Sequence, residues 1–570
     1  TAVTEDRADI TTLQGTTGIS LAATNITVTD AVSLAQAETI NGFTSGTVTL
    51  NSVSDTVANL ATLAAIDNSE VTIAGALISV SDAATKANAD TINAYTTGQV
   101  TLTSVNDTVA NITAIDGLTT SEVTMAGATV SVSDAATLAN ANAINGFTTA
   151  QVTLTSVSDT VANITSIDGL TTSEVTMAGA TVSITDAGVT KTQLDAVNAF
   201  TTGTVTATAV TEDRADITTL QGTTGISLAA TNITVTDAVS LAQAETINGF
   251  TSGTVTLNSV SDTVANLATL AAIDNSEVTI AGALISVSDA ATKANADTIN
   301  AYTTGQVTLT SVNDTVANIT AIDGLTTSEV TMAGATVSVS DAASLVNANA
   351  INGFTTAQVT LTSVSDTVAN ITLIDGLTTS EVTMAAATVS ISDTGATKAQ
   401  VDAVNAFTTG TVTPTSVSED RADLATLEGT TGISLSTTNI TVTDQVTKAQ
   451  ADIINAYTTG QVVLNSSSMT VAELAAVEAL NDSEMKFADD GAISVSDAAS
   501  KANADTINAY TTGQVTLTSV SDTVANITLI DGLTTSEVTM AAATVSISDT
   551  GATKAQVDAV NAFTTGTVTP

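Results

Sequence analysis

The chain has 570 residues with 11 Lys and Arg against 57 Asp and Glu, a formal net charge of −46, no His, no Cys and 2% aromatic residues. That acid excess excludes nucleic acid, whose binding needs Lys and Arg to displace counterions, and anionic membranes; no apolar run is long enough to cross a bilayer, so no membrane insertion is expected. Without His, Cys or a phosphate-binding Gly loop there is no nucleophile–base pair or zinc set, so the chain is expected not to be an enzyme and to carry no cofactor other than Ca²⁺ in one reading given below.

An Asp at the end of a Thr-rich strand marks a period. Asp107 to Asp134 is 27 residues, Asp134 to Asp159 is 25, and the two together make a 52-residue unit. Counting the altered copies at Asp6, Asp30, Asp213 and Asp420, there are 22 rungs of 24–28 residues, and 21 keep the Asp; Met469 stands in the remaining place. A period in this range predicts a stacked array in which each rung touches its neighbours. A third level is visible. TAVTEDR at 1–7 recurs at 208–214, and Arg421 lies 207 residues after Arg214. TVTP ends at Pro414 and again at Pro570, 156 residues later, so one 51-residue unit is missing from the last copy. The expected organisation is one continuous solenoid: super-repeat 1 at 1–207 (8 rungs), super-repeat 2 at 208–414 (8 rungs) and a shortened super-repeat 3 at 415–570 (6 rungs). The chain lacks an initiator Met and a signal peptide and begins and ends inside a repeat, so it is expected to be a window of a longer protein.

The stretch 99–155 holds the pattern in chain order. Residues 100–103 alternate apolar and polar, as a half-buried strand does. Asp107 then stands before TVANITAIDGL, where Val109, Ile112, Ile115 and Leu118 recur every three residues and predict a short helix with one apolar stripe. Gly117 follows Asp116 at the expected left-handed C-cap, with Leu118 as its apolar contact. Val123 and Met125 share one strand phase while Val130 and Val132 share the other, across Ala126-Gly127-Ala128; the flip marks a bulge or bend. Asp134 precedes a second helix with Leu138, Ala141, Ile144 and Phe147 on its stripe and Gly146 as its C-cap. Residues 152–155 then open the next rung, with another flip of phase at Val157.

The expected fold class is an α/β repeat solenoid, elongated and open to superhelical twist, each rung carrying short parallel strands and a short helix; the alternative is a parallel β-helix. Stacking gives two parallel sheets and one column of helices on the same side. At roughly 4.8 Å per rung, 22 rungs would extend on the order of 100 Å. Helices prefer about 8–10 Å, a conflict assigned to Ala-rich helix faces and to curvature. Leu138 exchanging with Lys86, Lys293 and Lys501 at equivalent positions marks a rim. Arg7, in the EDRAD rung, has Asp6, Asp9 or an adjacent rung as candidate partners. The divergent rung at 466–493, with Met469, Lys486, Phe487, Asp489 and Asp490, is either a contact site or a unit that escaped copying.

Two readings apply to the Asp column. Each Asp caps its own helix, or Ca²⁺ bridges neighbouring carboxylates in a ladder at Asp55, Asp82, Asp107, Asp134, Asp159 and Asp186. No EF-hand or Gly-rich Ca²⁺ nonapeptide is present. Thr153 and Thr155 are expected to stack under positions of the Thr101 and Thr103 type, as ordinary β-formers or as a face that orders water. Asn-Ile-Thr at Asn25, Asn111 and Asn163 matches a glycosylation pattern, with the Asn expected in or beside a helix.

The segments SVNDTVANI at 104–112, SVSDAAT at 131–137 and SVSDTVANI at 156–164 resemble the S-D-T-A-A-N-I type repeats of giant bacterial β-strand-repeat surface proteins, adhesin-like or S-layer-like, as in cyanobacteria and other Gram-negatives. The resemblance implies secretion, an extended shape and a structural or adhesive role, and transfers no functional residue. The expectation is a segment of an extracellular rod, filament or surface layer whose partner is a further copy of itself, end to end or lateral. The alternative is an adhesin stalk whose repeated Thr/Asp face binds polysaccharide, mineral or ice.

Overall fold

The computed structural model describes residues 1–66, 70–118, 122–170, 174–273, 277–326, 329–377, 381–480, 484–533 and 537–570; Ser483 of the divergent rung lies outside them. Two compact units, Thr1–Leu284 and Ile285–Pro570, carry eleven helices each among the described residues, every helix eight or nine residues long. In both units the rungs follow one path: a strand parallel to the last, a helix, then the next strand. This is an α/β repeat solenoid.

The local elements follow from their residues. Val109–Asp116 is helical, and Ile112 and Ile115, three apart, are buried while Val109 and Leu118 sit at the rim. In Leu138–Asn145, Ala141 and Ile144 are the buried pair. The strand Val152–Asp159 buries Val152, Leu154 and Val157, and the ladder register jumps between Val132 and Ala135 opposite this change of phase. The phase flip in the sequence is therefore a bulge. In the longer rungs a two-residue strand, Val123–Thr124, is separated from Thr129–Ala136 by a turn through 125–128 that buries Met125 and Ala128.

Glycine does not end these helices as expected. Gly117 (φ −70°) and Gly146 (φ −72°) are right-handed. The chain leaves each helix through a tight turn instead: Leu118 N–H bonds to Ile115 O at 3.1 Å and Phe147 N–H to Ile144 O at 3.0 Å. That turn needs no positive φ, so Ala94 serves in the same place with φ −71°.

Pairing gives a single sheet in each stretch rather than two. The strands Leu77–Ala84, Val100–Asp107, Thr129–Ala136 and Val152–Asp159 are successive neighbours in one 13-stranded parallel sheet of the first unit. In the second unit an 8-stranded sheet, from Ser416–Glu419 to Val568–Thr569, repeats the pattern.

The register is oblique. Val32, Val53, Ile78, Val100 and Val123 form one column of paired positions across five strands. Ala84, Val105, Val130, Val152 and Val175 form the next. It enters the strand of Val100 at Val105, five residues further along. From Val105 through Val130 to Val152 the pairing advances 47 residues while the sequence repeats every 52. The difference is a slip of five residues every second rung.

That slip resolves the conflict between strand and helix spacing. Five residues at about 3.3 Å each, over two rungs, move each rung about 8 Å along the strands, while strands lie about 4.8 Å apart. The combined step is about 9–10 Å, within the 8–10 Å that packed helices need. The 4.8 Å step expected for each rung is thus only its component across the sheet, and the spacing mismatch is met by register, inside each unit.

The divergent rung fills the same core with other residues. Its two strand pieces fuse into one strand, Met485–Ala499. Met469 and Phe487 are buried, and Phe487 stacks on Tyr510 with ring centroids 6.2 Å apart. Ser467, in the column between Val446 and Ile493, is fully buried and its Oγ has no hydrogen-bond partner. A buried orphan hydroxyl costs about 1–3 kcal/mol. Ser467→Val, which restores the Val105 and Val157 type, is expected to stabilise this rung by about 1–2 kcal/mol; slower amide exchange in Val462–Met469 checks it, and unchanged or faster exchange would show that the site does not accept the larger side chain.

Candidate functional site

The oblique register decides where the marker carboxylates go. Asp107 pairs with Val132, and there the earlier rung leaves the sheet for its helix while the strand Thr129–Ala136 continues. Two residues further on, Asp134 lies opposite the first residue of that helix, and its Oδ1 accepts Val109 N–H at 2.7 Å. In the alternate rung Ala84 pairs with Val105, and two residues on, Asp107 Oδ2 accepts Lys86 N–H at 2.7 Å. Each carboxylate therefore caps the helix of the preceding rung, not its own.

The rule holds along the chain. Of the residues named for a Ca²⁺ ladder, Asp55 accepts Leu34 N–H (2.7 Å), Asp82 accepts Val57 N–H (2.8 Å), Asp159 accepts Leu138 N–H (2.9 Å) and Asp186 accepts Val161 N–H (2.7 Å). In the EDRAD rungs Glu212 and Glu419 take over, accepting Lys191 and Lys398 N–H at 2.6 Å. This releases Asp213 and Asp420 to be N-caps of their own helices. Arg7 reaches the adjacent rung through its backbone N–H, bound to Asp30 Oδ1, and none of the ion pairs among the described residues involves an Arg. Met469 brings no acceptor to Lys448, whose helix is left with its Thr447 cap.

Outside the EDRAD rungs the helices' own caps are Thr or Ser, a role the Asp column obscured in the sequence. Thr108 Oγ1 accepts Asn111 N–H, and Thr137 forms a capping box with Asn140. A helix start has four N–H groups without an intrahelical partner. The Thr satisfies the third helical residue, and the next rung's carboxylate satisfies the first.

Carboxylates of the Asp107 kind hold more than one donor. Asp107 Oδ1 also accepts Thr108 N–H and Asn111 Nδ2–H, both at 2.8 Å. Partial desolvation, the largest single influence, would raise its pKa, but the three hydrogen bonds together outweigh it and hold Asp107 below the ordinary carboxylate range. Asp55, Asp159, Asp262, Asp314, Asp366 and Asp522 are lowered in the same way. Among the described residues no group of three or more His, Cys, Asp or Glu is placed to share an ion.

Across the sheet, hydroxyls form short rows. Thr153 pairs with Ser131 and Thr176, not with Thr101, which pairs with Ser79 and Thr124. The slip that displaces the apolar columns displaces these rows too, so the expected stacking of Thr153 under Thr101 gives way to separate rows. Thr103 and Thr155 donate to Val80 O and Val132 O at 2.6 Å, closing the bulge. Asn111 and Asn163 lie in helices, Asn25 at the start of a strand. Lys86 sits at the rim, as its exchange with Leu138 suggested, and pairs with Asp90 one turn on. A groove of about 340 Å³ lined by Ser183, Thr206, Thr208, Ser227, Thr231 and Asn232, with Ala207 and Ala230, contains no ionisable side chain. No helix among the described residues is long and apolar enough to cross a membrane. No protein-family model matches the chain, and no curated protein matches it.

Proposed function

We propose that the chain is a structural segment of a secreted, acidic repeat protein that builds an extracellular rod, filament or surface layer. One observation carries this reading: the carboxylates repeated along the chain are used to join each rung to the one before it. A carboxylate of the Asp107 kind, bound to three N–H groups, is committed to geometry rather than to substrate. Length would then be set by copy number and strength by neighbour-to-neighbour bonds, without catalysis. The rows of hydroxyls across the sheet, such as Ser131, Thr153 and Thr176, favour the second reading, an adhesin stalk that grips polysaccharide.

Negative-stain electron microscopy of the purified chain, with Ca²⁺ and with a chelator, tests the proposal. Ordered filaments or sheets in both conditions are expected. Order only with Ca²⁺ would move the weight to a cation ladder through Asp55, Asp82, Asp107, Asp134, Asp159 and Asp186. Isolated particles in both, with retention on a polysaccharide matrix, would overturn self-assembly in favour of the stalk.

A further inference from the structure

The divergent rung departs from the others at one boundary in particular. In regular rungs the segment SVSDTVAN, as at 156–163, does two jobs. Asp159 accepts Leu138 N–H from the preceding rung, and within its own rung it accepts Thr160 N–H and Asn163 Nδ2–H. At 466–473 the segment reads SSSMTVAE. Glu473 takes over inside the rung, where its Oε2 accepts Thr470 N–H at 2.9 Å and closes a capping box. Among the described residues no carboxylate takes over across the boundary.

Four lysines isolate the effect. Lys86, Lys293, Lys448 and Lys501 each open a helix of eight residues, and each pairs with an Asp four residues on. Lys86 N–H is held by Asp107, Lys293 N–H by Asp314 and Lys501 N–H by Asp522, at 2.7–2.9 Å. Lys448 has Met469 in the place of that Asp, fully buried and without an oxygen to offer. Ser467, with its orphan Oγ, stands at the same boundary opposite Val446, where regular rungs have Val. The boundary has one bond of its own in exchange: Gln445, where Ala83 stands in a regular rung, donates its Nε2–H to Ser467 O at 3.3 Å.

The far side of the same rung is reinforced. Asp497 accepts Val471 N–H at 2.8 Å. The strand Val462–Met469 pairs from Val462 with Met485 to Leu464 with Phe487, and again from Ser466 with Ala492 to Met469 with Val495, all on one continuous strand, Met485–Ala499. The stack of Phe487 on Tyr510 reaches past the helix Lys501–Asn508. The divergent rung is thus fastened to the rung that follows it and only weakly to the rung before.

We propose that the boundary between residues 439–455 and 462–499 is a built-in yield point, where the array opens first, under load or by thermal fluctuation, into two blocks that each stay folded. A repeat array permits this because its stability is a sum over rungs and their interfaces, so the weakest interface opens before the whole. The missing charge-assisted bond and the buried orphan hydroxyl both act there. Opening bares two strand edges, Asn439–Val446 and Val462–Met469, which can pair again when the load is gone. The use of such a point as a load release rests on the structural role proposed above; the opening does not, and the test reads the opening alone.

Hydrogen exchange resolved by segment, together with limited tryptic digestion of the whole chain, tests this. In wild type, Lys448–Asn455 is expected to exchange at least about tenfold faster than Lys86–Asn93, Lys293–Asn300 and Lys501–Asn508, a difference of about 1.4 kcal/mol. Among the four lysines, trypsin should cut first after Lys448. The triple variant Ser467→Val, Met469→Asp, Glu473→Asn rewrites 466–473 as SVSDTVAN, which the fold already accepts at 156–163, and should bring Lys448–Asn455 level with the other three helices. Gln445→Ala, at an exposed position, removes the remaining bond and should speed exchange there further. Equal exchange in the four wild-type helices overturns the proposal. So does fast exchange at 448–455 that neither variant moves, which would trace it to the helix's own sequence. Either result leaves self-assembly standing, and a failure to assemble leaves the yield point standing.

Discussion

Thermal melts followed by circular dichroism are expected to hold or rise in midpoint as the pH falls from neutral to about 4, then to drop steeply below it. The sign follows from the seven lowered carboxylates, Asp55, Asp107, Asp159, Asp262, Asp314, Asp366 and Asp522. A carboxyl whose pKa is lower folded than unfolded takes up its proton first in the unfolded chain. Its contribution is complete above the unfolded value of about 3.9 and is lost as the pH falls through the folded value. Above that window a second effect runs the other way. With 57 acidic groups and an isoelectric point near 4.1, acidification first relieves self-repulsion. The maximum should therefore sit near the isoelectric point, with the acid limb set by the caps. A midpoint unchanged down to about pH 2 would show that the carboxylate–amide bonds add nothing to stability.

Asp107→Ala should loosen two rungs rather than one. The substitution removes three acceptor bonds, to Lys86 N–H, Thr108 N–H and Asn111 Nδ2–H. At about 1 kcal/mol for each charge-assisted bond, discounted for partial exposure, the local loss is about 2–3 kcal/mol. Repeat arrays open locally, so one global midpoint would dilute the effect. Hydrogen exchange resolved by segment is the suitable measurement. Protection should fall in both Lys86–Asn93 and Val109–Asp116 and stay unchanged in Leu138–Asn145. Loss confined to Val109–Asp116 would mean that Asp107 serves only its own helix, and the inter-rung cap would be discounted. Asp107→Asn should fall between, since its amide keeps one acceptor oxygen but turns a donor toward donors. Asp134→Ala, losing the single bond to Val109 N–H, should cost about 1 kcal/mol.

Much of this architecture was legible because it is local. The three-residue spacing of Ile112 and Ile115 names the buried side of a helix without reference to any other rung. The phase change between Leu154 and Val157 announces a bulge because side-chain alternation along a strand cannot otherwise be broken. The exchange of Leu138 with Lys86 marks a rim for the same reason: no deep core accepts both. Period, rung number, helix positions and the alternation of long and short rungs all belong to this class.

What escaped depends on which residues of different rungs meet. A period of 52 says nothing of a pairing offset of 47, because the offset is chosen by packing eight-residue helices beside strands spaced half as far apart. Once the slip is known, the partner of each Asp follows. Before it, Asp107 standing just upstream of a helix reads as that helix's own cap, and the Thr beside it goes unnoticed. The right-handed Gly117 and Gly146 were hidden likewise, since the turn into the next strand sets their φ. The rungs and the inward side of each are written in the residues of one repeat; how far each rung is displaced along its neighbour is set in the assembled fold, because helices and strands must share one step, and through that displacement so is the amide that each carboxylate binds.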